Sequence, residues 1–350
     1  MNRSVSTWVR TKAVRVQRGF TLVELLVVIT IIGVLVGLTV PAVIGVRGAF
    51  ERAAVKFEVQ GLHDAINNYR GKHGDYPPDG SSWTITERHL RKVFPNILST
   101  ELALINPANG TQMDAAEALV FFLGGFSSDS QRPFTGAGGP LLNVGTMAAP
   151  VYRYNPSRDN SYYEFKDRLT LVTDALGAMS NDETLFAGVS SDLLPVFMAR
   201  NNAPEKGSPY VYFDSRTYLF NRGTVAVPIF NCYQPSDITI AAGAPRWDLG
   251  AVRPHLESVS ATGSFAFANN KTFQIITPGR DGRYGGRILS LGAQWFTTLG
   301  ESFTYNGTIM APDPASGARF ELSENNGLVR MPAHDNSSNF IDVNTFGENR

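Results

Sequence analysis

A single carboxylate inside a long apolar run is the residue best placed to do chemistry. Across residues 22–46 the one charged residue is Glu24. An ionised carboxylate in hydrocarbon costs roughly 2.5–3.5 kcal/mol, so it is retained where the interface or a partner offsets that cost. Two interpretations are open. Glu24 stabilises the start of a helix from the membrane interface, or a partner offsets the cost of its charge.

One aspartate could hold a metal ion. Asp281 lies in the glycine-rich segment 277–286, TPGRDGRYGG. Hard cations such as Ca²⁺ prefer oxygen ligands on a bent backbone, which an aspartate flanked by glycines supplies. The same residues also suit an Asp-Gly turn between strands. Calcium is therefore a hypothesis here.

Motifs of other catalytic or metal sites are missing from the sequence. The five histidines are scattered without zinc-ligand spacing, and there is no Gly-x-Ser-x-Gly elbow, dinucleotide fingerprint or phosphate loop. The single cysteine, Cys232, excludes an intrachain disulfide and a zinc ribbon. We expect no catalytic residues and a protein that is not an enzyme.

The charge of the chain is divided between a basic leader and an acidic body. Residues 1–19 carry five basic and no acidic side chains, so the remaining residues carry a net charge of −5 in a chain that sums to zero. The apolar run that follows is long enough, at ~1.5 Å per residue, to cross a ~30 Å hydrocarbon core. Basic residues before this run predict a cytoplasmic N-terminus and an extracytoplasmic body.

A second, amphipathic stretch continues the predicted helix. Apolar residues recur at helical spacing from residue 50 to residue 69, with charges between them. Glycines at positions 71 and 74 and prolines at 77 and 78 should end the helix. Pro41 lacks an N–H and is predicted to kink the helix within the apolar run.

The rest of the chain predicts an α+β head. Two Thr/Asp-x-x-Glu patterns, Thr84 to Glu87 and Asp114 to Glu117, fit capping boxes that begin short helices. Strand-like runs bounded by turn residues indicate an antiparallel β-sheet; they cover residues 151–154, 210–213, 224–230, 264–268 and 272–277.

The segment 18–35, RGFTLVELLVVITIIGVL, closely resembles the N-terminal signature of type IV pilins and type II secretion pseudopilins. The resemblance implies that a prepilin peptidase cleaves between Gly19 and Phe20 and methylates the new amine of Phe20. It also implies that Glu24 faces the Phe20 amine of a neighbouring subunit during assembly.

Two further segments resemble the major pseudopilins of type II secretion. Residues 61–80 are similar to the end of their stem helix, with an acidic-Tyr-Pro turn at positions 75–77. Residues 273–286 look like their strand and calcium loop, and residues 334–340 resemble its second acidic contribution. The resemblance implies that Asp281 and Asp335 share a calcium ion. The sequence departs from the family in two ways. Three arginines add positive charge to the first loop, and roughly fifty residues separate the two aspartates.

These observations predict a domain order and a function. We expect a cleaved leader (1–19), a transmembrane assembly helix (20–46), an amphipathic stem (47–73) and an extracytoplasmic head (74–350) with an atypical insertion (81–270). The chain would be an inner-membrane pseudopilin of a periplasmic type II secretion filament.

Its expected partners are pilin-like subunits, prepilin peptidase and an inner-membrane assembly platform. The alternatives are a type IV pilus or minor pilin subunit with a surface-binding head, and a membrane-tethered binding protein or enzyme. Tyr152, Arg153 and Tyr154, together with Arg158, Tyr162 and Tyr163, could stack on single-stranded nucleic acid. We do not expect such binding, because the exported body is acidic and shows no basic stripe.

Overall fold

The computed structural model describes part of the chain. The described residues are 21–106, 113–165, 169–170, 194–199, 209–221, 230–233, 252–277, 288–289, 292–293, 295–296, 302–305, 308–312, 320–322, 328–330 and 341–342. The chain divides into two compact units, Met1–Ala54 and Val55–Arg350. The predicted domain boundaries stay predictions.

Helix α1 spans Leu22–His73, a length of 52 residues. It ends where the sequence predicts, because Gly74 adopts a left-handed backbone (φ 77°) and its N–H donates to the carbonyl of Arg70 at 2.7 Å. Basic residues in the last turn favour the helix C-terminus. In the first unit, Leu22–Thr39 is long and apolar enough to cross a membrane, and its side chains are exposed.

In the second unit, the last turns of α1 supply one wall of the main core. Val59, Leu62, Ile66 and Tyr69 recur at intervals of three and four residues and are buried. Like Phe50 in the first unit, Phe57 departs from the predicted amphipathic pattern, because it is 81% exposed. It precedes Val59 by two positions, or about 200° around the helix, and so faces away from the core.

Three short helices follow, α2 (Trp83–Val93), α3 (Ser99–Ala103) and α4 (Glu117–Leu123). The capping box predicted from Asp114 to Glu117 is confirmed. The Glu117 N–H donates to Asp114 Oδ1 at 2.8 Å, and the Asp114 N–H donates to Glu117 Oε2 at 2.9 Å. Helix α4 then ends before Gly124, and Gly125 has a φ of 97°.

The capping box predicted from Thr84 to Glu87 is wrong. Helix α2 begins at Trp83 with Ser82 as its N-cap residue, so Thr84 already lies inside the helix. Glu87 instead accepts from Arg91 Nη2 at 2.8 Å, one helical turn later. The pattern therefore located the helix but not its first residue.

The strands of the head pair antiparallel throughout the described residues. Four of the five predicted strand runs contain strands, and most of the fifth, 224–230, lies outside the described residues. The strands are β1 (Leu141–Asn143), β2 (Tyr152–Tyr154), β3 (Leu169–Thr170), β4 (Val196–Phe197), β5 (Val211–Asp214), β6 (Leu256–Val259), β7 (Phe265–Phe267), β8 (Phe273–Thr277), β9 (Ile288–Leu289), β10 (Gly292–Ala293), β11 (Trp295–Phe296), β12 (Ser302–Tyr305), β13 (Met310–Pro312), β14 (Phe320–Leu322), β15 (Leu328–Arg330) and β16 (Ile341–Asp342).

The central sheet has the order β16-β8-β5. Strand β5 pairs with β8 in a register that places Val211 opposite Ile276 and Phe213 opposite Gln274. Side chains of both strands join the same core as the buried face of α1 and helix α4. The apolar helix and the small antiparallel sheets fit the predicted α+β, pilin-like class. The proposed insertion at 81–270 stays a prediction.

Candidate assembly helix

Glu24 is bound by Thr21 at the first turn of α1. The backbone N–H of Thr21 donates to Glu24 Oε2 at 2.8 Å, and its hydroxyl donates to the same oxygen at 2.7 Å. The Glu24 N–H donates back to the Thr21 hydroxyl oxygen at 3.2 Å. This is a reciprocal capping box, which satisfies backbone donors that the helix itself leaves free. The sequence analysis missed it, although the Thr-x-x-Glu spacing was visible.

The cap leaves the carboxylate able to bind a cation. A carboxylate offers about four lone-pair sites, whereas both bonds that Thr21 donates go to one oxygen. Glu24 is also exposed, so its charge is accessible at the end of the helix. The geometry shows the capping role of Glu24, whereas its pairing with a cation stays a prediction with which the free carboxylate oxygen is compatible.

The apolar segment after Glu24 carries few polar groups, and its hydroxyls are bonded within the helix. Thr30 Oγ1 donates to the Leu26 carbonyl at 2.7 Å, and Thr39 Oγ1 donates to the Leu35 carbonyl at 2.9 Å. These bonds remove the cost of placing a hydroxyl in hydrocarbon. The segment is therefore chemically compatible with lipid.

Gly33 and Gly37, which lower helix propensity near Pro41, also form a pattern suited to helix packing. They are four residues apart, so they share one face of α1. A Cβ added to either glycine would meet no atom within 4 Å among the described residues. Glycines at this spacing let two membrane helices approach closely. The signal was the Gly-x-x-x-Gly pattern itself.

Polar contacts fix the buried face of the stem within the second unit. Glu58 Oε2 accepts from the Tyr210 hydroxyl at 2.7 Å, next to strand β5. The Tyr69 hydroxyl lies 2.8 Å from His89 Nε2 in helix α2. His73 Nε2 lies 2.7 Å from the Tyr162 hydroxyl. These contacts join the last turns of α1 to three different parts of the head.

The turn after the stem is fixed by a buried carboxylate. Asp79 is fully buried, and its Oδ1 accepts from the N–H and hydroxyl of Ser81 at 3.1 and 2.6 Å. Its Oδ2 accepts from the Asp214 N–H and from Asn231 Nδ2, both at 3.1 Å, and from the Thr217 hydroxyl. Asp79 therefore holds the acidic-Tyr-Pro turn against the end of β5.

Neighbouring groups reinforce this turn. The Tyr212 hydroxyl donates to the Pro77 carbonyl at 2.7 Å, and Arg216 Nη2 donates to the Tyr76 carbonyl at 2.9 Å. Asp75 forms an ion pair with Lys92, whose hydrogen bond lowers the pKa of the Asp75 carboxyl. The turn that resembles pseudopilins is thus a structural joint, held by partners far away in sequence.

Burial keeps three histidines of the head neutral. It lowers the pKa of His73 to about 4 and the pKa values of His89 and His255 to about 3. Within the described ranges, no group of three or more His, Cys, Asp or Glu side chains is arranged to hold a metal ion. The structure thus offers these histidines a packing role.

The predicted calcium ligands, Asp281 and Asp335, lie outside the described residues. The strands beside them are described. Thr277, the last residue of β8, pairs with Ile341, the first residue of β16. The calcium site itself stays a prediction.

The other predicted site residues have mixed outcomes. Gly19 and Phe20 lie outside the described residues, so cleavage and methylation stay predictions. Pro41 lies within the bounds of α1, and its predicted kink is untested. Arg158 does not project toward a ligand. Its guanidinium donates to the carbonyls of Val120, Phe121 and Gly125 at the end of α4, which removes it from the nucleic-acid surface considered above.

Comparisons with known proteins agree with the N-terminal motif. The family described as "Prokaryotic N-terminal methylation motif" matches residues 14–40. The type II secretion system core protein G of Pectobacterium carotovorum subsp. carotovorum is 28% identical over 113 residues, which cover 28% of this chain and 72% of that protein.

Shorter matches have higher identity. The core protein G of Klebsiella pneumoniae is 41% identical over 61 residues, and that of Escherichia coli (strain K12) is 39% identical over 61 residues. Each match covers 17% of this chain, and they span 44% and 42% of those two relatives. No solved structure matches the chain.

The motif, the exposed apolar helix and these relatives agree with one another. The matched relatives are all named as core proteins of a type II secretion system. The chain therefore carries a prepilin-type methylation motif at its N-terminus and is similar, over part of its length, to type II secretion system core protein G.

Proposed function

We propose that the chain is a pseudopilin subunit that supports protein export by assembling into a periplasmic type II secretion filament. The observation that carries the proposal is the coincidence of the methylation motif at residues 14–40 with an apolar helix that begins at Leu22. The matched relatives are named as core proteins of that secretion system, which supports the proposal. Anchored by α1 in the inner membrane, the head lies on the periplasmic side.

Processing creates the cation that Glu24 requires. Prepilin peptidase cleaves the bond between Gly19 and Phe20, which removes the basic leader and leaves a positively charged amine on Phe20. The same enzyme methylates this amine, which keeps its charge. Glu24 is then the fifth residue of the mature chain. In the filament its carboxylate pairs with the Phe20 amine of a neighbouring subunit, and each charge offsets the cost of burying the other.

The same helix has features suited to packing in a bilayer and then in a filament. Gly33 and Gly37 allow close approach by a neighbouring pilin-like subunit. Pro41 removes one helix hydrogen bond, so the helix can open locally when subunits pack. The inner-membrane assembly platform then extracts subunits from the bilayer into the filament.

Mass spectrometry of the protein from its native membrane tests the first step. The proposal requires a mature chain that begins at Phe20 and carries one added methyl group. A strain that lacks prepilin peptidase provides the control and should accumulate the chain that begins at Met1. If the wild-type strain also contains only the Met1 form, the proposed function is wrong.

The location of the filament separates secretion from a surface pilus. A strain without this protein should accumulate export substrates in the periplasm, and immunogold labelling of the wild type should find the subunit inside the outer membrane. Surface fibres together with normal secretion would instead identify a type IV pilus subunit.

A further inference from the structure

Three side chains that could react with one another meet inside the head. They are the carboxylate of Asp79, the hydroxyl of Thr217 and the carboxamide of Asn231, and each is at most 1% exposed. Asp79 lies in the turn after the stem, Thr217 ends the short 3-10 helix Ser215–Thr217 after β5, and Asn231 lies 14 positions beyond Thr217. A base, a nucleophile and an acyl group from three separate segments are therefore enclosed together.

One oxygen of Asp79 contacts both other groups. The Thr217 hydroxyl donates to Asp79 Oδ2, and Asn231 Nδ2 donates to the same oxygen at 3.1 Å. Nδ2 also lies 3.3 Å from Thr217 Oγ1. A second acceptor near this hydroxyl, the Asp214 carbonyl at 2.8 Å, is too weak a base to remove its proton. Asp79 is thus placed to take a proton from the alcohol and to pass it to the amide nitrogen.

Further hydrogen bonds hold these groups in place. Asp79 Oδ1 accepts from the N–H and the hydroxyl of Ser81, and its Oδ2 also accepts from the Asp214 N–H. The Asn231 N–H donates to the Phe220 carbonyl at 2.8 Å. Well-oriented groups can reach effective concentrations on the order of 10⁵ M. The donors also weaken Asp79 as a base, but a bond that forms once per chain can form far more slowly than the ~1–10³ s⁻¹ of ordinary enzyme turnover.

We propose that Thr217 and Asn231 form an ester cross-link within the head. As Asp79 takes the hydroxyl proton, Thr217 Oγ1 attacks the Cγ atom of Asn231, which is one bond, about 1.3 Å, from Nδ2. The Oγ1–Cγ bond forms and the Cγ–Nδ2 bond breaks. Nδ2 leaves as ammonia, with its two hydrogens and the proton carried by Asp79, so Asp79 returns to its starting state. The reaction needs no metal, oxidant or other co-reactant.

The cross-link closes a loop from Thr217 to Asn231. It reduces the conformational freedom of the unfolded chain, as a disulfide does, and so stabilises the head. A chain with a single cysteine cannot form an intrachain disulfide, so the ester supplies a covalent bond that its thiol does not. The proposal concerns the head alone and does not depend on assembly or on cleavage at Gly19.

The intact mass of the full chain from its native membrane tests the cross-link. Counted from the N-terminus that the chain carries, with any methylation included, the wild-type mass should be lower than the sequence requires by one ammonia, about 17 Da. Thr217→Val, which lacks the hydroxyl, should show no deficit, whereas Thr217→Ser should retain it. Thr262→Val is the matched control and should keep the wild-type deficit, because Thr262 lies exposed between β6 and β7.

A protease digest locates the bond. It should yield the peptide with Thr217 joined to the peptide with Asn231, and mild alkali should separate the two because it hydrolyses esters. A wild-type chain of full mass would overturn the proposal. A deficit that persists in Thr217→Val would also overturn it, since cyclisation of a different asparagine loses the same mass without linking two peptides. A thermal melt shows whether Thr217→Val folds, and the wild-type mass decides the question even if it does not.

Discussion

Thr21 donates both its backbone N–H and its hydroxyl to Glu24 Oε2, at 2.8 and 2.7 Å. The carboxylate proposed to pair with a neighbouring subunit therefore already has a role within its own subunit, as part of a helix cap. A simple Glu24→Ala variant removes both roles. The two can be separated, because Thr21 takes part in the cap and has no charge to offer in assembly.

We predict that Glu24→Ala and Glu24→Gln prevent incorporation into filaments, whereas Thr21→Ala does not. Loss of the cap costs about 1 kcal/mol at the helix start, which a helix held in a membrane tolerates. Loss of the charge leaves the Phe20 amine unpaired in an apolar core, which costs several kcal/mol. The measurement is the fraction of subunit that cross-links into filaments, at equal amounts in the membrane. If Thr21→Ala is as defective as Glu24→Gln, capping explains the role of Glu24.

Local sequence signals predicted the ends of elements better than their partners. The stop of α1 before Gly74 and the capping box of Asp114 and Glu117 were predictable, because each depends on residues within one turn of helix. The same four-residue pattern failed at Thr84. Helix α2 already begins at Trp83, so Thr84 lies inside it. A threonine and a glutamate three positions apart do not show whether the threonine precedes the helix or belongs to its first turn.

Long-range partners had no signal in the sequence. Asp79 lies 135 positions from Asp214, whose N–H it accepts. Arg158 lies 38 positions from Val120, whose carbonyl it contacts. In a single sequence, a charged residue that becomes buried looks the same as a charged residue on the surface. The neighbouring residues in the sequence do not show that it will lose its contact with water. The Gly-x-x-x-Gly pair and the Thr21 cap, by contrast, were visible.

Replacing Asp79 should loosen the turn that follows the stem and the contact of this turn with the end of β5. We predict that Asp79→Ala destabilises the head by about 3 kcal/mol, because it leaves several buried donors without an acceptor. The measurement is the melting temperature of the full chain in detergent, followed by near-ultraviolet circular dichroism. Asp129→Ala is the control, since Asp129 is exposed and accepts from backbone N–H groups of its own turn. A shift no larger than that of the control would contradict the structural role of Asp79.

The calcium hypothesis predicts a stability that depends on the ion. If Asp281 and Asp335 bind Ca²⁺ in the folded head, an excess of roughly 100 times the dissociation constant stabilises it by about 2.7 kcal/mol. Asp281→Ala and Asp335→Ala should each abolish the calcium-dependent rise in melting temperature, whereas Asp129→Ala should retain it. Magnesium, which is smaller and retains its water, should not replace calcium. A wild-type melting temperature that does not change with calcium would refute the site.

Acid should destabilise the head through its buried histidines. Burial lowers the pKa of His89 from 6.5 to about 3, and that of His255 also to about 3. Below pH 6.5 the unfolded chain therefore binds more protons than the folded chain. Each histidine removes up to about 1.4 kcal/mol of stability per pH unit as the pH falls. Asp214 opposes this effect, because burial raises the pKa of its carboxyl to about 6, which favours the folded state as the pH falls below that value.

His89 and His255 each lower the stability of the head as the pH falls, whereas Asp214 alone raises it. The net effect is therefore a loss of stability between pH 6.5 and pH 4. We predict that His89→Gln makes the dependence shallower by up to about 1.4 kcal/mol per pH unit, since glutamine can still bond the Tyr69 hydroxyl but does not titrate. Unfolding by urea at a series of pH values measures this slope. The wild-type chain, measured in parallel, is the reference for this slope. Identical slopes for wild type and His89→Gln would show that His89 is not the group that titrates on unfolding.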